Sequence, residues 1–434
     1  MKKYIALRRL ACALFAAMML TPLCLTASAA GERHFTIINP YASVDWNTWG
    51  AYRANLHTHT FASDGPLDVG ATVEAYYTEG YDVLALTDHG VVSRGWDTAP
   101  QTVPLISFKA IFVKPKPLTS ERAAEIAAGS DRGGRGMTEV PLGIEQNAAS
   151  MTYAHVNTFF ADYGQGKWGK ENDFEGPIAA AQALGGISHI NHPGDWTGAK
   201  DDPAQANNPD KIRFIGRLLK KYPSCLGVEI VNGTETSTRS DRVFWDNLLE
   251  YVLPSGRNVW AFANADAHET ESLFSAFEVL MMPANNQANV RAALENGTFF
   301  ACSRLAFNEL GADFKGSGPM PSVRRIAVDA AQETITIEGA NVDAVQWISR
   351  GKVIAEGGTI DLNDHESEIG RYVRAQLKGP GGICFTQAFV TDDGSAPPAE
   401  PEPSPLRAFL DRLVFEVKST RLYVILSLLI RQFD

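Results

Sequence analysis

The sequence predicts an α/β barrel-like domain followed by a small antiparallel β domain. Apolar runs typical of buried strands alternate with helical patterns, and polar side chains gather where these runs end, which predicts the barrel. From about residue 319 apolar and polar residues alternate with a period of two, which predicts the β domain, a small sandwich. An open doubly wound sheet would also carry its site at the strand ends, but no Gly-rich phosphate loop follows the first strand.

The composition is that of a globular protein. The 434 residues are 45% hydrophobic and 21% charged, and the formal net charge is −11. A chain this acidic is a poor general binder of nucleic acid, whose phosphates attract basic surfaces. Beyond the N-terminal segment only Cys225, Cys302 and Cys384 remain, so at most one disulfide can form.

The N-terminus has the order of a cleavable secretory signal peptide. Lysines and arginines precede an apolar run from Leu10 to Leu25, and the small residues Ala29 and Ala30 follow it. A membrane anchor is the alternative, but the run is short for the roughly 20 residues that a span requires. We therefore expect a secreted or periplasmic protein.

Six segments are predicted along the chain. They are a signal peptide (1–30), a lead-in (31–50), the barrel (51–310), the small β domain (319–395), a Pro-rich linker (396–405) and an apolar or amphipathic tail (406–434). Barrel strands are predicted at 53–59, 81–88, 140–144, 183–191, 225–231 and 258–263. Helices are predicted at 68–80, 176–185, 211–221, 241–251 and 287–296. The apolar run within the tail is too short to span a bilayer, so weak contact with a membrane surface or packing is expected there.

The first predicted strand carries two histidines. His57 and His59 are two positions apart, so on a strand their imidazoles project to the same side. Asp64 follows in a Ser-Asp-Gly turn that can direct a carboxylate to the same point. Two histidines on a strand can also be plain surface residues, so the pair alone is weak evidence for a metal site.

Further histidines and carboxylates fall near the ends of the other strands. The full set of candidate ligands is His57, His59, Asp64, His89, Glu145, His155, His192, Asp266 and His268. Mixed nitrogen and oxygen ligands suit Zn²⁺, Mn²⁺ or Fe²⁺ better than Ca²⁺. These side chains exceed what one ion can use, so two or three divalent ions sharing a bridging carboxylate are expected. His189 competes with His155 as a ligand, although a role in the core fits it better.

An ordered set of motifs resembles the PHP family, named for polymerase and histidinol phosphatase domains. In chain order these are His-Thr-His, Ser-Asp-Gly, Leu-Thr-Asp-His, Gly-Ile-Glu, Asn-His-Pro and Asp-Ala-His, within about residues 50–305. The resemblance implies a distorted, TIM-like (β/α)7 barrel with two or three metal ions. A small C-terminal β domain is similar to that of secreted relatives, whereas the polymerase-linked members act on DNA in the cytoplasm.

The resemblance also implies which residues share each ion. A first ion would be held by His57, His59, Glu145 and Asp266, a second by Glu145, His155 and His192, and a third by Asp64, His89 and His268. His155 is the least secure of these, because no strong motif surrounds it.

The expected reaction is hydrolysis of a small phosphate ester by a hydroxide that bridges the ions. Asp64 or His268 would act catalytically by orienting water or assisting the leaving group. Arg94, Arg239 and Arg304 are candidates to bind phosphate, with purely structural roles as the alternative. Two other functions remain open: hydrolysis of a carboxyl or carbamate ester or an amide at the same centre, and a non-catalytic binding module stabilised by metal. The sequence does not predict the oligomeric state.

Overall fold

The computed structural model describes residues 34–150 and 152–396, and six residues of the tail, namely Leu406, Phe409, Leu410, Leu413, Val417 and Thr420. The predicted signal peptide lies outside the described residues, as does most of the predicted linker and tail. The described residues from Phe35 onward belong to one compact unit. Among the described helices, none combines the length and apolarity that crossing a membrane requires.

Strands and helices alternate through the first three quarters of the described chain. The strands are β1 (Thr36–Ile38), β2 (Gly50–Asn55), β3 (Val83–Leu84), β4 (Thr138–Glu139), β5 (Ile144–Gln146), β6 (Val156–Phe159), β7 (Ile187–Ile190), β8 (Cys225–Asn232), β9 (Trp260–Asn264), β10 (Ala276–Met282) and β11 (Phe299–Ser303). The helices are α1 (Val69–Thr78), α2 (Ser120–Ala128), α3 (Glu175–Ala183), α4 (Pro193–Thr197), α5 (Pro209–Lys221), α6 (Asp241–Val252), α7 (Gln287–Asn296) and α8 (Phe307–Leu310). The five predicted helices are therefore confirmed, as α1, α3, α5, α6 and α7.

The remaining described chain is dominated by strands. These are β12 (Ser322–Asp329), β13 (Thr334–Ala340), β14 (Ala344–Ser349), β15 (Lys352–Glu356), β16 (Thr359–Asp361), β17 (Tyr372–Gly379), β18 (Gly382–Phe385) and β19 (Phe389–Asp392). The period-two prediction of strands in this region is confirmed. Strand β18 pairs with β11, with Cys302 opposite Cys384, so these strands continue the sheet of the preceding region. The predicted domain boundaries stay predictions.

The mixed α/β class is confirmed, but a closed barrel is not. The described strands form three separate sheets: one of eleven strands that contains β2, β3 and β4, one of three, and one of five running from β5 to β9. Strand β6 is antiparallel to both β5 and β7, and β10 is antiparallel to β2. A barrel of uniformly parallel strands needs one continuous ladder, whereas the described ladder stops between β4 and β5 and does not connect β9 to the sheet that contains β2.

Two isolated bridges join the sheets where the candidate ligands lie. Thr58 pairs with Ala267 beyond the ends of β2 and β9, and His89 pairs with Glu145 beyond β3 and within β5. Because both bridges are parallel, the carboxyl ends of strands from both sheets meet at one edge. This meeting of the sheets brings the predicted motifs together.

Candidate metal centre

Four predicted ligands converge at the first cluster. His57 Nε2 and His59 Nε2 lie 3.2 Å apart, and Asp266 Oδ1 lies 3.1 Å from the former and 2.9 Å from the latter. Glu145 completes the group, with Oε1 at 3.4 Å from His57 Nε2 and Oε2 at 3.3 Å from His59 Nε2. All four are residues that the resemblance to the PHP family implies for one ion.

The separations in this cluster fit a metal ion. Four ligand atoms placed tetrahedrally at bonds of about 2.0–2.1 Å lie about 3.3–3.4 Å from one another. The observed separations, 2.9 to 3.4 Å, lie at or somewhat below that edge length, with Glu145 contributing a different oxygen to each histidine. The set also combines imidazole and carboxylate donors, as Zn²⁺, Mn²⁺ and Fe²⁺ sites do. The residues present therefore fit a divalent ion, while their role as ligands stays a prediction.

Glu145 lies at the centre of a second cluster as well. Its Oε1 is 3.1 Å from His155 Nδ1 and 3.3 Å from His192 Nε2, and its Oε2 is 2.8 Å from His89 Nδ1. His155 and His192 are themselves 3.3 Å apart. Oε1 thus contacts His155 and His192 as well as His57, so this one carboxylate contacts both clusters, as a bridging ligand would.

A third cluster lies on the solvent side. Asp64 Oδ2 is 3.3 Å from His268 Nε2 and 3.7 Å from His89 Nε2, and His59 Nδ1 lies 3.7 Å from Asp64 Oδ1. The side chains of Asp64 and His268 are 44% and 41% exposed, whereas those of His59 and Glu145 are fully buried. The structure therefore brings all nine predicted residues together and leaves these two most open to water.

Sequence analysis did not identify Glu229, which supports two of the histidines. This buried carboxylate on β8 faces His57 Nδ1 at 2.8 Å and accepts the His192 backbone N–H at 2.9 Å. Since the carboxylate accepts from His57 Nδ1–H, the Nε2 lone pair of that ring is directed into the first cluster. A single carboxylate within the apolar run of β8 was the available signal, because burial of a charge requires partners.

Two candidate ligands have strained backbone conformations. His192 has φ of 22° and Asp266 has φ of 41°, a region that residues other than glycine seldom adopt. The Asp266 N–H donates to the His57 carbonyl at 2.8 Å, and Glu229 holds the His192 N–H. Such strain persists where surrounding bonds enforce it, and it concentrates at functional sites.

The turn that carries Asp64 is built around another buried carboxylate. Asp88 Oδ1 accepts the backbone N–H groups of Thr60 and Ser63 and the Ser63 hydroxyl, at 2.7 to 3.0 Å. Ser63 Oγ in turn lies 3.3 Å from His59 Nδ1. Gly65 packs so tightly that a Cβ would lie 2.1 Å from the His59 carbonyl carbon. Asp88 and Gly65 therefore position the loop that directs Asp64 towards the cluster.

The electrostatics of the clusters favour positive charge. Burial by itself raises a carboxyl pKa, but the imidazoles around Glu145 and Asp266 hold both pKa values well below their usual range. Burial lowers an imidazole pKa, yet the neighbouring carboxylates raise the pKa of His59 to about 10 and that of His192 to about 9. The same groups that attract protons here attract a divalent cation.

The clusters open onto a cavity of about 380 Å³. Its described lining includes Asp64, His89, His155, His192, Asp266 and His268, together with Leu105, Ile106, Ala148, Ala149, Tyr153, Trp168, Asp195, Asn232 and Ser237. None of these lining residues is Lys or Arg. Any positive charge offered to a group in this cavity would therefore come from the lining histidines or from ions that they hold.

The three arginines proposed to bind phosphate do not line this cavity. Arg94 forms a bidentate pair with Asp162, Arg239 lies over the Phe307 ring, and Arg304 is 4.0 Å from a Glu79 oxygen. These contacts are with other protein side chains, as expected if the three arginines have purely structural roles.

His189 does not join any of the three clusters. Its ring stacks on Phe262 with centroids 4.4 Å apart, and it is fully buried. His189 therefore lies in the core, as expected.

The fold and the site together define a mixed α/β protein with a candidate multi-metal centre of histidines and carboxylates. The sequence matches no protein-family model and no curated protein. Several solved structures are similar to it, and three of them are described as PHP-like or metal-dependent phosphoesterases or as an endonuclease.

The first is a two-domain protein from Bacteroides vulgatus that contains a predicted PHP-like metal-dependent phosphoesterase. It is 15% identical to this chain, the alignment covers 83% of this chain and 90% of that chain, and the TM-score is 0.42. The second is the lesion-specific endonuclease PfuEndoQ from Pyrococcus furiosus, with 12% identity, 57% and 56% covered, and a TM-score of 0.31. The third, from Bifidobacterium adolescentis, is described as a metal-dependent phosphoesterase, with 14% identity, 56% and 96% covered, and a TM-score of 0.27. These likenesses are distant, so the function proposed below rests on the site itself.

Proposed function

We propose that the protein is a metal-dependent hydrolase of small phosphate esters. The observation that supports this is the convergence of nine candidate metal ligands, with Glu145 in contact with imidazoles through both of its oxygens. Divalent ions held by these residues would lower the pKa of a water molecule and would stabilise the charge that develops on oxygen during displacement at phosphorus. Zn²⁺, Mn²⁺ and Fe²⁺ all suit these donors.

The protein's own residues would bind the substrate and transfer protons. In the reaction a water oxygen bonds to phosphorus, the ester P–O bond breaks, and the departing oxygen receives a proton. His268 Nδ1 lies 2.9 Å from the Asp266 carbonyl, which only accepts, so Nδ1 carries hydrogen. His268 Nε2 lies 3.3 Å from Asp64 Oδ2, and because a carboxylate oxygen also only accepts, these two atoms hold a proton or a cation between them. This exposed pair is suited to orient water or to pass a proton to the leaving group.

The test combines metal analysis with turnover of three esters. The purified protein is loaded with Mn²⁺ or Zn²⁺, its metal content is measured, and hydrolysis of p-nitrophenyl phosphate, its bis-ester and p-nitrophenyl acetate is compared. We expect two or three bound ions and cleavage of a phosphate ester. Asp266→Asn should lower turnover by at least about 100-fold and reduce metal content, because it weakens the first cluster. Asp162→Asn, a remote carboxylate variant, is the matched control and should retain both.

The other outcomes separate the remaining functions. A full metal centre that cleaves only the acetate would favour a carboxyl-ester hydrolase, since an activated water does not require phosphorus. Empty sites, or full sites without turnover of any ester, would favour a non-catalytic binding module. Unfolding of Asp266→Asn in the presence of chelator would make that variant uninformative, so its melting temperature is compared with that of the wild-type protein without metal.

We further propose that the protein acts in the periplasm or outside the cell and that its tail touches a membrane weakly. The signal-like order of residues 1–30 supports the first part. The second is supported by helical residues that all expose their apolar side chains, namely Leu406, Phe409, Leu410, Leu413 and Val417. N-terminal sequencing of the mature protein should find a start near residue 30, and a start at Met1 would contradict export by cleavage.

A further inference from the structure

A short segment beside the cavity exposes several large apolar side chains. Within residues 105–113 these are Leu105, Phe108, Ile111, Phe112 and Val113, which are 48% to 74% exposed. The tail residues form another such group, and elsewhere in the described chain the large exposed hydrophobic residues are scattered singly. A contiguous apolar surface of this kind marks an interaction site. We call residues 105–116 the apolar segment.

The apolar segment is anchored at both ends. Val103, just before it, is buried with Ala62 and Val91. At its far end the Lys116 carbonyl accepts the Gly70 N–H at 2.8 Å. Between these points a short 3-10 helix (Lys109–Ile111) sets the Phe108 and Phe112 rings 5.5 Å apart. The exposed side chains are thus presented together by an ordered turn.

The segment is continuous with the metal-binding cavity. Leu105 is 73% exposed and also lines the cavity, next to Ile106. Lys109 Nζ lies 2.6 Å from the carbonyl oxygens of Asp64 and Gly65, so the turn is fastened to the loop that carries a candidate ligand. An apolar group lying on the segment would therefore be adjacent to the reacting centre.

The charge of the segment identifies the kind of surface that it fits. Lys114 and Lys116 are exposed, and no acidic residue occurs between Asp97 and Glu121, although the chain as a whole is acidic. Apolar side chains flanked by lysines are typical of segments that bind anionic lipid interfaces. A two-fold contact whose axis passes through the segment would instead place the same lysines near each other, which disfavours that mode of self-association.

We propose that the apolar segment docks the protein on an anionic lipid surface and that the adjoining centre acts on a phosphate ester whose other substituent is apolar and lies in that surface. Leu105, Ile106, Ala148, Ala149 and Trp168 would contact that substituent where it enters the cavity. The docking stands independently, whereas the substrate class rests on the proposed hydrolase function.

Docking is tested by sedimentation with lipid vesicles in the presence of chelator. We expect binding to vesicles of phosphatidylcholine with about a quarter phosphatidylglycerol, weaker binding to phosphatidylcholine alone, and a decrease between about 0.1 M and about 0.5 M NaCl. Phe108→Ser/Phe112→Ser should lower the affinity at least tenfold, since burial of one phenyl ring is worth about that factor or more. Lys114→Gln/Lys116→Gln should lower it about fivefold per charge on the anionic vesicles only.

Two variants serve as matched controls. Leu184→Ser/Val353→Ser removes apolar side chains of similar exposure elsewhere and should bind vesicles like the wild-type protein. Leu406→Ser/Phe409→Ser tests the tail separately. Unchanged binding by the Phe108/Phe112 variant, binding lost only in the tail variant, or no binding to either vesicle would overturn the docking proposal. A concentration-dependent dimer that the phenylalanine variant abolishes would assign the segment to self-association instead.

The substrate class has its own readout. Turnover of a phosphodiester with a long alkyl substituent, presented in the anionic vesicles, is compared with turnover of soluble bis(p-nitrophenyl) phosphate. We expect the ratio of vesicle-held to soluble turnover to exceed one in the wild-type protein and to fall at least about tenfold in the Phe108/Phe112 variant. An equal ratio in both proteins would refute the surface-held substrate. Vesicle binding without hydrolysis of any phosphate ester would refute the hydrolase while leaving the docking intact.

Discussion

Replacement of Glu229 by glutamine tests how the centre holds its histidines. Oε1 of Glu229 faces His57 Nδ1 at 2.8 Å and accepts Asn264 Nδ2 at 3.0 Å. Oε2 accepts the His192 N–H at 2.9 Å and Asn232 Nδ2 at 2.8 Å. Four donors therefore point at one carboxylate, and glutamine has the same shape but only one accepting oxygen.

The expected loss follows from this count. In either orientation the amide nitrogen of glutamine faces two donors, so two of the four hydrogen bonds are lost, and His57 loses its anionic partner. Removal of such a supporting group typically weakens metal binding 10- to 100-fold, which corresponds to about 1.4–2.8 kcal/mol. We expect Glu229→Gln to fall in this range for Zn²⁺ or Mn²⁺.

The affinity is measured at neutral pH by competition with a chelating dye. Glu278→Gln is the matched control, because Glu278 is also a fully buried carboxyl but accepts from the Ala263 N–H at 3.1 Å rather than from a histidine. Burial raises the pKa of Glu278 well above its usual value, so the protonated acid and glutamine carry the same charge. The control should bind metal within about threefold of the wild-type protein. Wild-type affinity in Glu229→Gln, or an equal loss in both variants, would refute the reasoning.

Three further predictions concern stability. Burial raises the pKa of Glu139 to about 7, so its contribution to stability is present below the unfolded-state pKa of 4.5 and is lost as pH rises towards 7. Measured by urea titration, Glu139→Gln should raise the free energy of unfolding by about 1–3 kcal/mol at pH 8 relative to its effect at pH 4. Equal effects at the two pH values would contradict this. Gly65→Ala should cost about 2 kcal/mol or more and weaken metal binding, because its Cβ would meet the His59 backbone; an unchanged melting temperature would refute it. Arg374 pairs with Asp246 in the interior, at 2.7 and 2.8 Å. Arg374→Met should therefore lower the free energy of unfolding, measured by chemical denaturation, by about 3–5 kcal/mol, and the added Asp246→Leu should restore much of that loss. No recovery would mean that lost packing rather than the unpaired charge causes the loss.

The helices followed from local signals. Helix α1 begins after Asp68, whose side chain accepts the Ala71 N–H, and ends before Gly80, which has φ of 90°. Helix α7 begins after Asn286 and ends at Gly297, again with a capping side chain and a left-handed glycine. Caps and glycines act within one turn of chain, so sequence alone locates them.

The strands were located less completely. The run 81–88 predicted a long strand, yet β3 spans only Val83–Leu84, and β10 and β11 were not predicted. An apolar run indicates that a segment is buried. The length of a strand and the direction in which it pairs depend on partners far away in the chain. The antiparallel pairing of β10 with β2 is such a long-range outcome.

The sequence by itself predicted the mixed α/β class, the helices and the nine candidate ligands that gather at the centre, because helix caps, apolar runs and motif spacing are local properties. Tertiary structure alone decided that Glu145 faces two groups of imidazoles, that Glu229 supports His57, and that an apolar segment borders the cavity. Each of these is a contact between side chains distant in sequence. Such contacts exist only after the sheets have met and excluded water, when a buried charge must find its partner.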